Sequence, residues 1–344
     1  MRDILAPHPQ NEATTFYEQV NHARYQGLPQ GHYESFFQRA NHPKRPLAFW
    51  IRYTVFSPRG HPENAIGELW AVFFNGETNS HAAVKKEVPF NECVFSTTSF
   101  DCRIGSARLD AHGLTGAAEK GADSITWDLT FHGASAPLLL LPLRLYSTRL
   151  PAAKSLVSLP LARFSGTLTV NGETIEVTDW LGSTNHNWGF KHTDLYAWGQ
   201  VAGFDTEPGS FLELATARLR IGPFRTPAFT PIVFRHRGQE HSLNGLLQTV
   251  KAHGLFTYFT WNFCSKTPRV EIEGTITAPR KAFVGLTYYN PPGGTKTCLN
   301  SKIASCTLRF KDKVHGITET LQAENRAAFE ILTDDTGHGI RMVV

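Results

Sequence analysis

At 344 residues and 38.3 kDa the chain is about twice the length of a typical domain, which predicts two domains or one unusually large β-domain. A net charge of +4 without any lysine or arginine run argues against nucleic acid as the principal partner. The longest apolar run, residues 136–143, is broken by Pro137 and Pro142 and falls far short of the ~20 residues of a membrane-spanning helix. The N-terminus carries Asp3 and no apolar core of signal-peptide length, so a soluble, cytoplasmic protein is expected.

In chain order, residues 1–30 are polar and mixed, with Phe16, Tyr17 and Val20 as the main apolar cluster, and read as a tail or short helix. From Tyr33 the pattern changes. Tyr33–Ala40, Ala48–Phe56 and Ala65–Phe74 are rich in β-branched and aromatic residues and are separated by Asn41-His42-Pro43 and Ser57-Pro58-Arg59-Gly60. Asn75-Gly76 and Asn171-Gly172 are hairpin-type turns. The rhythm continues through Cys102–Ile104, Ala107–Leu109, Ser124–Phe131, Phe164–Val170 and Thr174–Val177. It resumes with Tyr196–Phe204, Phe211–Leu219, Pro231–Arg235, Gly245–Val250, Phe256–Phe263, Arg269–Ile276 and Ile303–Phe310. The glycine-rich run Tyr288–Lys302 lacks the spacing of a phosphate loop and reads as a long loop at a barrel rim.

Long amphipathic helical periodicity is absent. About eight strands on each side of Asp179 fit an all-β fold of two consecutive antiparallel β-barrels packed side by side, 31–178 and 179–344. A barrel of that size can hold one small ligand, and the junction of two barrels offers a further cleft.

The five cysteines, Cys93, Cys102, Cys264, Cys298 and Cys306, have no metal-ligand spacing and read as free buried thiols. The fifteen histidines include no HExxH or HxH pair, so neither a metal nor another cofactor is expected. No G-x-S-x-G elbow supports hydrolase chemistry.

Functional residues concentrate between Thr178 and Asp205, which hold Trp180, Trp188, Trp198, Tyr196, His186 and His192. Asp179–Asn185 reads as a loop and Tyr196–Phe204 as a strand with Tyr196, Trp198 and Gln200 on one face. Between them, extended geometry in Asn185-His186-Asn187-Trp188-Gly189 points His186 and Trp188 to one side and Asn187 to the other.

The His186-Asn187-Trp188-Gly189 motif followed by Tyr196-Ala197-Trp198 resembles the centre of the lipocalin-like superfamily that includes carotenoid 1,2-hydratases (hydroxyneurosporene synthases) and AttH-like proteins. More distant members are tocopherol cyclases and lipocalin-like Diels–Alderases. The resemblance covers most of the chain from about Tyr33 and implies two lipocalin-like barrels joined near the motif. The chain departs from the hydratase pattern in having Asn187 where those proteins have an acid, and Phe49-Trp50-Ile51-Arg52-Tyr53 in place of a paired-Trp segment. Their proposed acid lies on a strand after the motif, where the nearest acid here is Glu213.

The resemblance implies a cofactor-independent enzyme that hydrates, cyclises or isomerises an isoprenoid or polyketide-like substrate. Protonating an alkene requires a donor next to a water-poor cavity. Glu213, Asp179 and Glu68 are candidate donors, because a carboxyl in apolar surroundings keeps its proton to higher pH. His186 could relay the proton, and the faces of Trp188, Trp198 and Tyr196 could stabilise a cation. Asn185, Asn187, Trp50, Tyr53 and Glu68 complete the candidate substrate contacts.

Structural readings stand beside these. His186 could bond loop backbone, Asp179 could form a turn, Trp188 and Trp198 could fill a core, and Glu213 could face solvent. Glu68 and Arg52 could pair inside the first barrel or across its outer face. The rival function is a non-catalytic carrier of a hydrophobic ligand. Enclosure of His186 and Glu213 in one apolar cavity would favour catalysis, and exposure of both to solvent or saturation of both by backbone partners would favour carriage. Contact with a membrane surface is one way such a protein could collect its substrate. Substrate identity and oligomeric state are not encoded in any recognisable motif.

Overall fold

The computed structural model describes residues 16–221 and 223–344; residues 1–15 of the expected N-terminal tail lie outside them. The first sheet contains β1 (His32–Asn41), β2 (Leu47–Ser57), β3 (Ile66–Asn75), β4 (Ala82–Pro89), β5 (Cys93–Phe95), β6 (Asp101–Ile104), β7 (Ala107–Asp110), β8 (Gly113–Lys120), β9 (Asp123–His132), β10 (Leu138–Leu139), β11 (Ala153–Val170) and β12 (Glu173–Gly189). The second contains β13 (Leu195–Ala202), β14 (Phe211–Arg218), β17 (Ile232–His236), β18 (Gln239–Leu243), β19 (His253–Thr257), β20 (Thr260–Lys266), β21 (Val270–Thr277), β22 (Val284–Tyr289), β23 (Thr295–Asp312) and β24 (Ile317–Thr333). A small ribbon, β15 (Arg220–Ile221) with β16 (Phe224–Arg225), projects between β14 and β17.

Both sheets are antiparallel and share one topology. In the first, β4-β3-β2-β1 runs into β12-β11-β9-β8; in the second, β18-β17-β14-β13 runs into β24-β23-β21-β20. Each unit is a meander whose first strand pairs with its last. In the first unit β4 also returns against β8 and β9, and the Ala83 amide donates to Asp123 across that closure at 3.1 Å. The fold is thus all-β, with two large antiparallel sheets of shared topology, the first nearly closed into a barrel.

Alternation along β1–β3 explains how the units join. Phe36, Phe49, Ile51, Tyr53, Leu69 and Phe73 point into the first barrel and form its core with Trp127, Phe164 and Trp180. Their neighbours Phe37, Ala48, Trp50, Trp70, Val72 and Phe74 point outward and join one continuous core with the second sheet. The outer face of the first sheet therefore covers the open side of the second.

Several local expectations change. Asp179–Asn185 is strand: β12 runs unbroken from the Asn171-Gly172 turn to Gly189, and all of it pairs within the first sheet. Sheet membership changes between Gly189 and Leu195, after the histidine motif. The turn-forming chemistry at Asp179 is used for a bulge. Asp179 takes φ +55 where the pairing skips from Trp180–Phe164 to Val177–Gly166, and its amide donates to Ser165 Oγ. The Asn171-Gly172 pair, with φ values of +52 and +85, is a two-residue hairpin turn as its sequence predicts.

Gly245–Val250 is not a strand: Leu246–Lys251 forms a helix, α1, that bridges β18 and β19 while Gln248 donates to Ser265 Oγ and the Lys266 carbonyl. Phe256–Phe263 is split by a turn, with Phe259 at φ +73. Only 290–294 of the expected rim loop lies outside strands. No helix among the described residues is long and apolar enough to cross a membrane.

Candidate functional site

The shared core is not completely filled. A cavity of about 450 Å³ lies between the first sheet's outer face and the second sheet. Tyr33, Phe37, Trp50 and Arg52 line it from β1 and β2, Asn187 from β12, Tyr196 and Trp198 from β13, Tyr288 from β22 and Glu330 from β24. Leu140, Leu141, Leu145 and Leu150 form an apolar side wall. Leu150 and Leu246 both line the cavity and are 68% and 51% exposed, so they mark its mouth.

The polar wall is organised by pairs. Lys302 Nζ, completely buried, donates to Glu330 Oε1 and Asn300 Oδ1, each at 2.6 Å, and Asn300 Nδ2 donates to the same Glu330 oxygen at 2.8 Å. The second Glu330 oxygen has the Cys298 thiol 3.9 Å away. Burial pushes the phenols of Tyr33, Tyr196 and Tyr288 and the Cys298 thiol upward, so all four keep their protons near neutrality. Burial also holds His192, stacked on Tyr33 at 3.9 Å, down to about 3 with help from Arg52.

Glu213 stands one layer behind this wall. Trp198 Nε1 donates to one of its oxygens at 2.8 Å and Gln200 Nε2 to the other at 2.9 Å. Burial raises its carboxyl to about 7, against the pull of those two donors and of Arg39. Gln200 belongs to a hydrogen-bond network across the seam. Its Oε1 accepts from Arg39 Nε and Ser183 Oγ, and its Nε2 also donates to Asn185 Oδ1. Asn185 thus binds the two units together.

His186 and Trp188 share a side and Asn187 takes the other, but the cavity is on the Asn187 side. His186 is fully buried against Phe36, 4.1 Å between ring centres, and Trp188 at 4.6 Å. Its Nδ1 donates to the Val20 carbonyl at 2.6 Å and its Nε2 to Glu34 at 2.7 Å. Glu34 also accepts from the amides of Arg24 and Tyr25 and from His32. Burial alone would raise the Glu34 carboxyl, yet hydrogen bonds from His186 and His32 bring it down to about 2.

The remaining candidates divide by face. Tyr53 points into the first barrel, accepting from Trp127 Nε1 and donating to backbone carbonyls at Arg108 and Thr115. Asp179 is exposed and bonded to Arg163 at the bulge. Glu68 lies on the outer face and pairs with Lys85 at 2.6 Å; no direct Arg52–Glu68 ion pair forms. Of the residues singled out from sequence, Trp50, Asn187, Tyr196 and Trp198 line the cavity. Glu330 and Lys302 were not singled out, although each is a lone charge in an otherwise uncharged, largely buried stretch. Among the described residues no group of three or more His, Cys, Asp or Glu side chains is arranged to hold a metal ion.

No protein-family model matches the chain. Two uncharacterized proteins from two strains of Mycobacterium tuberculosis are 25% identical over 222 residues, which is 64% of this chain and 65% of each relative's length. Among solved structures, a putative AttH from Nitrosomonas europaea aligns over 88% of this chain and 91% of its own, with a TM-score of 0.55 and 12% identity. Kievitone hydratase from Nectria haematococca aligns over 90% of this chain and 92% of its own, at 0.54 and 11%. CghA with Sch210972 aligns over 88% of both chains, at 0.53 and 11%. These likenesses show that the chain shares its fold with these three proteins.

Proposed function

We propose that this chain, built on the lipocalin-like fold, binds a hydrophobic small molecule at the junction of its two barrels and transforms it by acid–base chemistry supplied by its own side chains. The observation that carries the reading is the mostly apolar cavity, open at one mouth, with Glu330 set in its wall. Hydration, cyclisation and isomerisation of an isoprenoid or polyketide-like skeleton all need a proton moved where bulk water is kept out. Glu330 would take or return that proton, Tyr196 and Tyr288 would donate hydrogen bonds, and the faces of Trp50 and Trp198 would steady developing positive charge. Glu213 would act through the Trp198 indole N–H, while His186 and Asp179 serve the fold. That a fold neighbour is a hydratase agrees with this class of chemistry.

A non-catalytic carrier is the second reading, favoured because neither His186 nor Glu213 lines the cavity. At the mouth Leu150 and Leu246 are joined by exposed Leu247 and Val250 on α1, which supports loading from a membrane surface. The test is organic extraction of protein purified from its own host, followed by incubation of the recovered compound with wild type and Glu330→Gln. Turnover lost in the variant with binding retained supports the enzyme; binding without turnover in either supports the carrier. Recovery of no hydrophobic compound, together with failure to bind apolar probes, would refute both.

A further inference from the structure

Buried basic residues around the seam have carboxylate or side-chain amide partners, except Lys154, which donates to a backbone carbonyl, and Arg52. Lys85 pairs with Glu68 and Glu87, Lys302 with Glu330, and Arg39 donates to Gln200 and Asn41. Arg52 is 4% exposed and lines the cavity, yet among the described residues no carboxylate oxygen lies within 4.0 Å of it. The two nearby acids, Glu68 and Glu330, are already held by lysines.

The hydrogen-bond partner of the Arg52 guanidinium is the Ser35 hydroxyl, which receives Nε at 2.8 Å and Nη2 at 2.6 Å. A guanidinium has five N–H donors in a planar fork, so one hydroxyl leaves most of them unused. The Tyr288 ring lies 4.5 Å from the guanidinium carbon and supports the charge, but a ring face cannot accept the paired bonds of the fork. Neither His192 nor the phenols of Tyr33, Tyr196 and Tyr288 supply a negative charge near neutrality. Lys154, the other basic residue in the wall, donates to the Pro151 carbonyl. The apolar cavity therefore presents a buried cation that the protein itself does not neutralise, where buried charges are ordinarily paired.

We propose that the cavity takes an amphipathic anion, a hydrophobic molecule ending in a carboxylate or similarly delocalised oxyanion, and that Arg52 receives its charged oxygens. This rests on reading the cavity as a ligand site and specifies the class of ligand. The planar fork matches two carboxylate oxygens at once, and the aromatic and leucine walls take the hydrocarbon.

The test compares dodecanoate with neutral 1-dodecanol, titrated against the full chain and read by quenching of tryptophan fluorescence, since Trp50 and Trp198 line the cavity. Wild type should bind the acid at least about tenfold more tightly than the alcohol, the scale of one charge-assisted hydrogen-bond pair. Arg52→Gln should erase that preference while still binding the alcohol, which also reports that the variant is folded. Arg52→Lys should retain part of the preference. Equal binding of acid and alcohol by wild type, or a preference that survives Arg52→Gln, overturns the proposal and leaves the cavity a hydrophobic site. Failure of wild type to bind either probe overturns the proposal together with the ligand-site reading.

Discussion

His186 and Glu34 meet at 2.7 Å with neither side chain exposed to solvent. Both ring nitrogens of His186 face acceptors, the Val20 carbonyl and the Glu34 carboxylate. The pair fastens the segment running through Val20, Arg24 and Tyr25 to the junction of β1 and β12, because Glu34 accepts from the last two amides while His186 holds the Val20 carbonyl.

Removing the ring strands a buried carboxylate. His186→Ala should lower the unfolding free energy by about 3 kcal/mol, in the range for breaking one side of a buried pair. Ligand affinity per folded molecule should not change, since the ring points away from the cavity. Urea denaturation and a binding titration check both parts; intact stability with lost affinity would contradict the assignment of His186 to the fold.

Glu34 should also govern acid unfolding. Its folded value near 2 lies below the ordinary 4.5, so its stabilisation is complete above about 4.5 and disappears as pH falls towards 2. The shift corresponds to about 3 kcal/mol. Unfolding free energies of wild type and Glu34→Gln should converge over that interval, and a constant difference between them would show that Glu34 does not titrate as described.

Glu213 has the opposite sign. With its folded value raised to about 7, the folded state holds a proton that the unfolded chain releases, so stability falls as pH climbs from about 4.5 through 7. Glu213→Gln should remove roughly 3 kcal/mol of that decline. Equal slopes for wild type and variant between pH 5 and 8 would mean that Trp198, Gln200 and Arg39 keep the carboxyl ionised.

The apolar rim can be tested apart from the cavity. Leu247 is 79% exposed on α1, beside the cavity-lining Leu246. If the mouth rests on a bilayer, Leu247→Glu should reduce cosedimentation with phosphatidylcholine vesicles by about tenfold, the cost of placing a charge at an apolar interface. Affinity for a ligand added from solution should stay the same.

Fold class was legible because period-two alternation and hairpin turns are local signals. Trp50 and Tyr53 were both expected to contact substrate, although alternation in β2 puts them on opposite faces; which face meets a second sheet is a long-range fact. That is why Trp50 reaches the cavity and Tyr53 the interior of the first barrel. The same limit applies to the histidine motif: spacing puts His186 and Asn187 on opposite sides, and only the packing of residues 20–25 decides which side is filled. Asp179 was read as a loop residue because its preference for positive φ serves a bulge as well as a turn. Glu330 and Arg52 gain significance from their partners, or the absence of one, which sequence cannot display.

The pairing of first strand with last in each unit has a consequence for biosynthesis. β1 lies unmatched on its β12 side until residues near 189 have been made, and β13 on its β24 side until residues near 333 have been made. Each strand therefore keeps an unpaired row of backbone N–H and C=O groups through nearly all of its unit's translation, until the closing strand covers it.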